Sequence, residues 1–135
     1  MRYILSLFAI LLLAGCVVTA PFDQRAYETA IDLKVDSLVL IEQSTEQYTN
    51  HVADAEGLLL RIRKAHEYAK GLPNNDETVA QWTLMADPDK NLMAGFIKRW
   101  EEKGQMKEIM VKNIKPNIAE AYDAIIELEA AKLEE

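Results

Sequence analysis

Residues 23–70 hold no proline and a single glycine, Gly57, and their apolar positions return at alternating steps of four and three. The series is Tyr27, Ile31, Lys34, Leu38, Ile41, Thr45, Tyr48, Val52, Ala55, Leu59, Ile62, His66 and Ala69. That spacing holds one stripe on one side of a helix, the seam along which helices pair. Lys34, Thr45 and His66 are its polar exceptions, and a few polar seam residues serve to fix register. One long helix over about 23–70 is predicted, roughly 70 Å in length at 1.5 Å per residue. Lys70, Gly71 and Pro73 sign its end, with Gly71 for a left-handed cap. Residues 43–51 are almost wholly polar apart from Tyr48. The seam keeps phase through them, which favours continuity over a break.

Three shorter helices are predicted to follow. Asn74 with Glu77 reads as a capping box opening a helix over about 75–85. Asp87-Pro88 reads as the N-cap and first helical proline of a second, about 88–103, which ends near Gly104. The third, about 106–133, presents Met110, Ile114, Ile118, Ala121, Ile125 and Leu128. Pro116 is expected to kink or split it near Lys115. No segment alternates like a strand. The expected fold is all-α: an antiparallel helical bundle, or a long helical hairpin with an interrupted return arm. The turn at 71–76 is then its far end. If the return helices leave the seam uncovered, pairing of two copies through it stays open.

The N-terminus carries Arg2 and then an apolar run over 4–13. Ten residues are too few for a membrane span, which needs roughly 20, and fit a secretory signal. The run ends in Leu13-Ala14-Gly15-Cys16. Here the chain resembles the bacterial lipoproteins, whose lipobox is a leucine, two small residues and a cysteine. The resemblance implies that residues 1–15 are removed and that Cys16 carries diacylglycerol on its thiol and an acyl group on its new amino terminus. Residues 16–22 then form a tether and 23–135 one helical domain. Two or three acyl chains hold a protein at a membrane permanently, whereas one does so only marginally. Val17 after the cysteine implies the outer membrane, facing the periplasm, in a Gram-negative host. A rival cleavage after Val18-Thr19-Ala20 would place Pro21 next to the cut, a poor context for that peptidase.

Composition excludes several activities. There are 22 acidic residues against 15 basic ones, for a formal net charge of −7. With no basic run, the chain is a poor partner for nucleic acid, whose phosphates dominate affinity. A single cysteine excludes an intrachain disulfide and a cysteine-rich zinc site. His51 and His66 lie about 22 Å apart along one straight helix and cannot share a metal. No Glu-x-x-His, His-Glu-x-x-His or glycine-rich phosphate loop is present. Ser44 and His51 are seven residues apart on that helix, too far for a nucleophile and its base. No catalytic residue, cofactor or metal is therefore expected. Glu28, Asp32 and Asp36 step by four, a solvated outer face in preference to a cation or basic-partner site.

The unusual region is 82–100. Trp82, Met85, Met93, Phe96 and Trp100 gather there, with Leu72 in the preceding turn. Such residues either cap a core or form a partner-binding end. The functional expectation is a non-catalytic, membrane-anchored envelope lipoprotein, a helical adaptor with a protein partner. Two alternatives stand beside it: a bundle holding a small apolar ligand, and a membrane-held inhibitor or immunity protein whose acidity complements a basic target.

Overall fold

A computed structural model describes residues 20–134; the signal, Cys16 and most of the tether lie outside those residues. The described residues form α1 Gln24–Gln43, a 3₁₀ turn Tyr48–Asn50, α2 Val52–Lys70, α3 Asp76–Ala86, α4 Met93–Lys103 and α5 Glu108–Ala131. They contain no strand, and the fold is an all-α helical bundle. None of these helices is long and apolar enough to cross a membrane.

The single helix expected over 23–70 is two helices, each about 30 Å long. Its seam keeps phase, yet the chain turns back at residues 44–51. Ser44 closes α1 by donating its hydroxyl to the Ile41 carbonyl at 2.6 Å. Backbone groups freed by the break are met by residues far along the chain. Met106 N–H donates to the Ser44 carbonyl at 2.9 Å, and Tyr48 N–H donates to that of Gly104 at 2.7 Å. Trp100 Nε1 donates to the Glu46 carbonyl at 3.1 Å. A helix can end where its orphan groups find partners, and distant donors leave no mark on local periodicity.

The break sets the topology. Helices α1, α2, α3 and α5 alternate in direction and pack as neighbours in that cyclic order, with α5 closing against α1. This is an up-down-up-down bundle. Its base gathers the start of α1, the α2–α3 turn and the end of α5: Ala20 N–H donates to the Asn74 carbonyl at 3.1 Å, and Lys132 Nζ to Asn75 Oδ1 at 2.6 Å. The 71–76 turn thus lies beside the start of the domain and not at its far end. The opposite end is formed by the 44–51 turn and α4. Ion pairs Lys34–Asp123 and Lys115–Glu42 fasten α5 to α1, and Arg61–Asp36 fastens α2 to α1.

The buried stripe follows from that arrangement. In α2, Ala55, Ile62 and Ala69 are buried as the seam predicts, joined by Leu58 and Ala65. In α1 the buried residues are Ala30, Leu33, Ser37, Leu40 and Ile41, whereas Tyr27, Ile31, Lys34 and Leu38 are only half-buried. The strip in α1 is wider than a two-helix seam and offset from it, because α1 faces both α2 and α5. Helices of the same chain therefore occupy the strip that a second copy would need.

Three local expectations are corrected, and a fourth, at Pro116, is narrowed. Gly71 is right-handed at φ −75°, and the left-handed residue of that turn is Asn74 at φ 52°. The Asn74–Glu77 capping box does not form: Asn75 is the N-cap, and its side chain bonds instead to the Ala69 carbonyl and to Lys132. Asp87-Pro88 opens a turn, with Asp87 Oδ1 accepting from Asp89 N–H at 2.8 Å, and α4 starts five residues later. That turn folds onto α4 at Gly95, where a Cβ would collide with the Lys90 carbonyl oxygen. Pro116 does not split α5. Pro116 and Lys112, whose carbonyl loses its helical donor, are both exposed, so water can serve that carbonyl.

Candidate ligand cavity

The six residues expected to form a partner-binding end do not form a surface. Trp82, Met85, Met93, Phe96 and Trp100 are buried in the core, and Leu72 is half-buried in the α2–α3 turn at the base. Trp82 meets the Tyr122 ring edge-on at 6.1 Å, and Trp100 meets Tyr48 edge-on at 5.3 Å. Large rings at the junctions of α3 with α5 and of α4 with the 3₁₀ turn bury most of their area there. The indole donor of Trp100 is taken by a backbone carbonyl. These residues build the fold, which is the correction to that reading. Cys16 lies outside the described residues.

The serine, Tyr122 and histidine side chains that could do chemistry are engaged elsewhere. Ser37 Oγ and the Tyr122 hydroxyl share a buried hydrogen bond of 2.7 Å. His51 Nε2 lies 3.0 Å from Glu46, at the end of the bundle formed by α4. His66 Nε2 lies 3.0 Å from Thr83 Oγ1, between α2 and α3. Burial, together with Lys70, holds His66 below its ordinary value against the pull of Glu67. Among the described residues no three His, Cys, Asp or Glu side chains come together as a metal site. The acidic stripe divides: Glu28 accepts from Gln24, Asp36 pairs with Arg61, and Asp32 lines a cavity.

That cavity, of about 230 Å³, lies in the basal half of the bundle. It exists because the facing positions of α1 and α2 are small: Ala26 and Thr29 on one, Ala65 and Ala69 on the other. Its inner wall is buried and comes from three helices, with Trp82 and Thr78 on α3, Ala69 on α2 and Glu129 on α5. The exposed lining residues are Arg25, Asp32, Arg61 and Lys64, so its mouth lies between α1 and α2. Arg25 is held over the Tyr68 ring, 5.2 Å from its centroid. Tyr68 in turn donates to Asp23 Oδ2 at 2.7 Å.

Glu129 is the chemically unusual member. It is 1% exposed, and one oxygen accepts from Lys132, whose side chain is 7% exposed, at 2.8 Å. No protein group donates to its Oε2, the one buried side-chain polar atom without a partner among the described residues. A buried carboxylate oxygen left unpaired is costly, and native proteins hold few of them. Sequence reasoning missed Glu129 by following Leu128. The register that buries Tyr122 and Ile125 reaches Glu129 at the next step of four, and a charged residue on a buried register is the signal that was available.

No protein-family model, no characterised protein and no solved structure matches this chain at a significant level.

Proposed function

We propose that the chain is a membrane-anchored bacterial envelope lipoprotein whose helical bundle is a binding protein and not an enzyme. The observation that carries the anchor is the lipobox Leu13-Ala14-Gly15-Cys16. Ala20 supports it against the rival cut. It is 1% exposed and bonded through its N–H to Asn74, so cleavage after Ala20 would strip a packed residue from the folded unit. Four residues from Cys16 to Ala20 reach at most about 14 Å. The base of the bundle would therefore lie close to the lipid, and α4 with the 44–51 turn would face away. In a Gram-negative host, Val17 favours the outer membrane with the domain in the periplasm.

A non-catalytic role draws support from the two serines of the described residues, both committed to buried bonds, and from two histidines with separate partners. The small-ligand reading has its own observation, the cavity lined by Glu129. The lining is mixed in polarity, so the guest it suits is not purely apolar. Metabolic labelling tests the anchor. Labelled palmitate is expected to enter the wild-type chain and not Cys16→Ser, which should leave the membrane fraction. Equal labelling or unchanged fractionation of the variant overturns the anchor. Mass spectrometry of small molecules released from the purified full chain tests the binding role.

A further inference from the structure

A second cleft, of about 400 Å³, opens near the end of the bundle opposite the base, between α2, the Asp87-Pro88 turn and α4. Ala94 and Ile97 are buried beneath it, and Leu59 forms a half-buried side. Tyr48 lines it too. That side chain is 9% exposed, with its ring fixed edge-on against Trp100. Its hydroxyl bonds to no other described residue. It is not sealed either, because Glu129 Oε2 is the one sealed side-chain polar atom without a partner among those residues. The Tyr48 hydroxyl therefore opens into the cleft with its hydrogen-bonding capacity unspent. The rim is polarised along its length. Glu56 and Glu101 are exposed and form no ion pair among the described residues. Burial, then the charges of Glu101 and Glu56, push the Tyr48 phenol above its ordinary value, so both carboxylates bear on that hydroxyl. Arg63 lies seven residues beyond Glu56 on α2, about 10 Å along the axis. It too forms no ion pair among the described residues, whereas Lys98, the other cation of the rim, is paired with Asp89.

From this we infer that the cleft takes a lysine side chain of a partner protein. The lysine ammonium donates to the Tyr48 phenolic oxygen between Glu56 and Glu101, and its methylenes lie over Leu59 and Ile97. Arg63 then faces the main chain of that lysine, whose carbonyl oxygens accept from a guanidinium. Charge-assisted hydrogen bonds of both kinds are the strong ones. Acceptors supplied by three separate elements suit the three donors of an ammonium better than the planar fork of a guanidinium. Other guests leave one end unmet. A free monoamine gives Arg63 no acceptor, and a polyamine brings a second ammonium against it. An anion meets two carboxylates. The inference deepens the binding reading above by giving the partner's chemistry, and it is independent of both the lipid anchor and the basal cavity.

The test follows backbone amide shifts of the full chain, purified in an uncharged detergent, by NMR. The probes are Nα-acetyl-lysine N-methylamide, its Nε-acetylated form, the arginine counterpart, n-butylamine and spermidine. The lysine compound is expected to shift Tyr48, Glu56, Ile97 and Glu101 saturably, while Ala26 and Ala65 in the basal cavity stay still. Its Nε-acetylated form should bind at least about tenfold more weakly, and the arginine compound, n-butylamine and spermidine each several-fold more weakly. Tyr48→Phe and Glu101→Gln should each weaken the lysine compound several-fold with the urea midpoint unchanged. Arg63→Gln should weaken it too, and should strengthen spermidine. The proposal fails if the lysine compound moves none of these amides, or if the Nε-acetylated form binds as well. Tighter binding by n-butylamine, spermidine or the arginine compound assigns the cleft to that guest and overturns the lysine. None of these failures alters the result of palmitate labelling or of mass spectrometry on released small molecules, so they are distinguishable from failure of the anchor or of the small-ligand reading.

Discussion

Ser37 and Tyr122 meet in the middle of the bundle, their hydroxyls 2.7 Å apart and both side chains fully buried. The pair joins α1 to α5 with a polar bond inside an apolar layer. Burial, opposed in part by Ser37, pushes the Tyr122 phenol well above its ordinary value, so it stays protonated and available as a donor. Tyr122→Phe should lower stability by about 1–2 kcal/mol, because the Ser37 hydroxyl loses its partner. The double variant Ser37→Ala with Tyr122→Phe should lose less than the sum of the two single changes. Urea unfolding of the four proteins reads this coupling.

Gly95 has no room for a side chain. The atom nearest an added Cβ is a backbone carbonyl oxygen, Lys90 O, and a backbone atom cannot swing aside as a side-chain tip can. Gly95→Ala should destabilise by about 3 kcal/mol or more, although alanine is otherwise the better helix former. Gly57→Ala is the control. Nothing lies within 4 Å of its added Cβ, and the change should stabilise α2 by about 0.5–1 kcal/mol. Thermal unfolding should separate the two with opposite signs.

Asp23 caps α1 through a 2.8 Å bond from the Ala26 N–H and accepts from the Tyr68 hydroxyl. Burial alone would raise its carboxyl, but Ala26, Tyr68 and Arg25 together hold it below its ordinary 3.8. A depressed folded value means that the carboxylate contributes stability above about pH 4. That contribution fades as the pH falls through the folded value. Asp23→Ala should therefore cost about 1 kcal/mol at pH 7. The deficit should shrink on acidification below pH 4, measured as the difference in urea midpoint between the two proteins.

Trp100 ties α4 to the 44–51 turn through the Glu46 carbonyl and the Tyr48 ring. Trp100→Phe keeps a ring but leaves that carbonyl without its donor, at a cost of about 2 kcal/mol. The loss should be local at first. Hydrogen exchange of the Met106 and Tyr48 amides, which bond across the same junction, should accelerate before amides in the middle of α5 do.

The helical class, the three later helices and the stop at Gly104 were legible because apolar spacing and breakers act over short distances. The break at 44–51 was not. It depends on Gly104, Trp100 and Met106, some 50 to 60 residues away, supplying partners to the freed backbone, and a seam in phase looks the same whether the chain continues or doubles back. The cluster of Trp82, Met85, Met93, Phe96 and Trp100 was visible, but composition could not say whether it faced inward. The cavity was hidden for a further reason. It arises from what Ala26, Thr29, Ala65 and Ala69 leave unfilled, and an absence of volume has no residue to announce it. Glu129 alone left a trace, as a charge on a buried register.

Ala20 and Lys132 both bond to the α2–α3 turn, through Asn74 and Asn75. The first and last described segments are thus near neighbours, so a short linker between them should permit circular permutation with new ends opened at residues 45–47. The same closeness decides where reporters go. A fluorophore fused behind α5 would sit at the base of the bundle, and one inserted beside Thr49 at the opposite end.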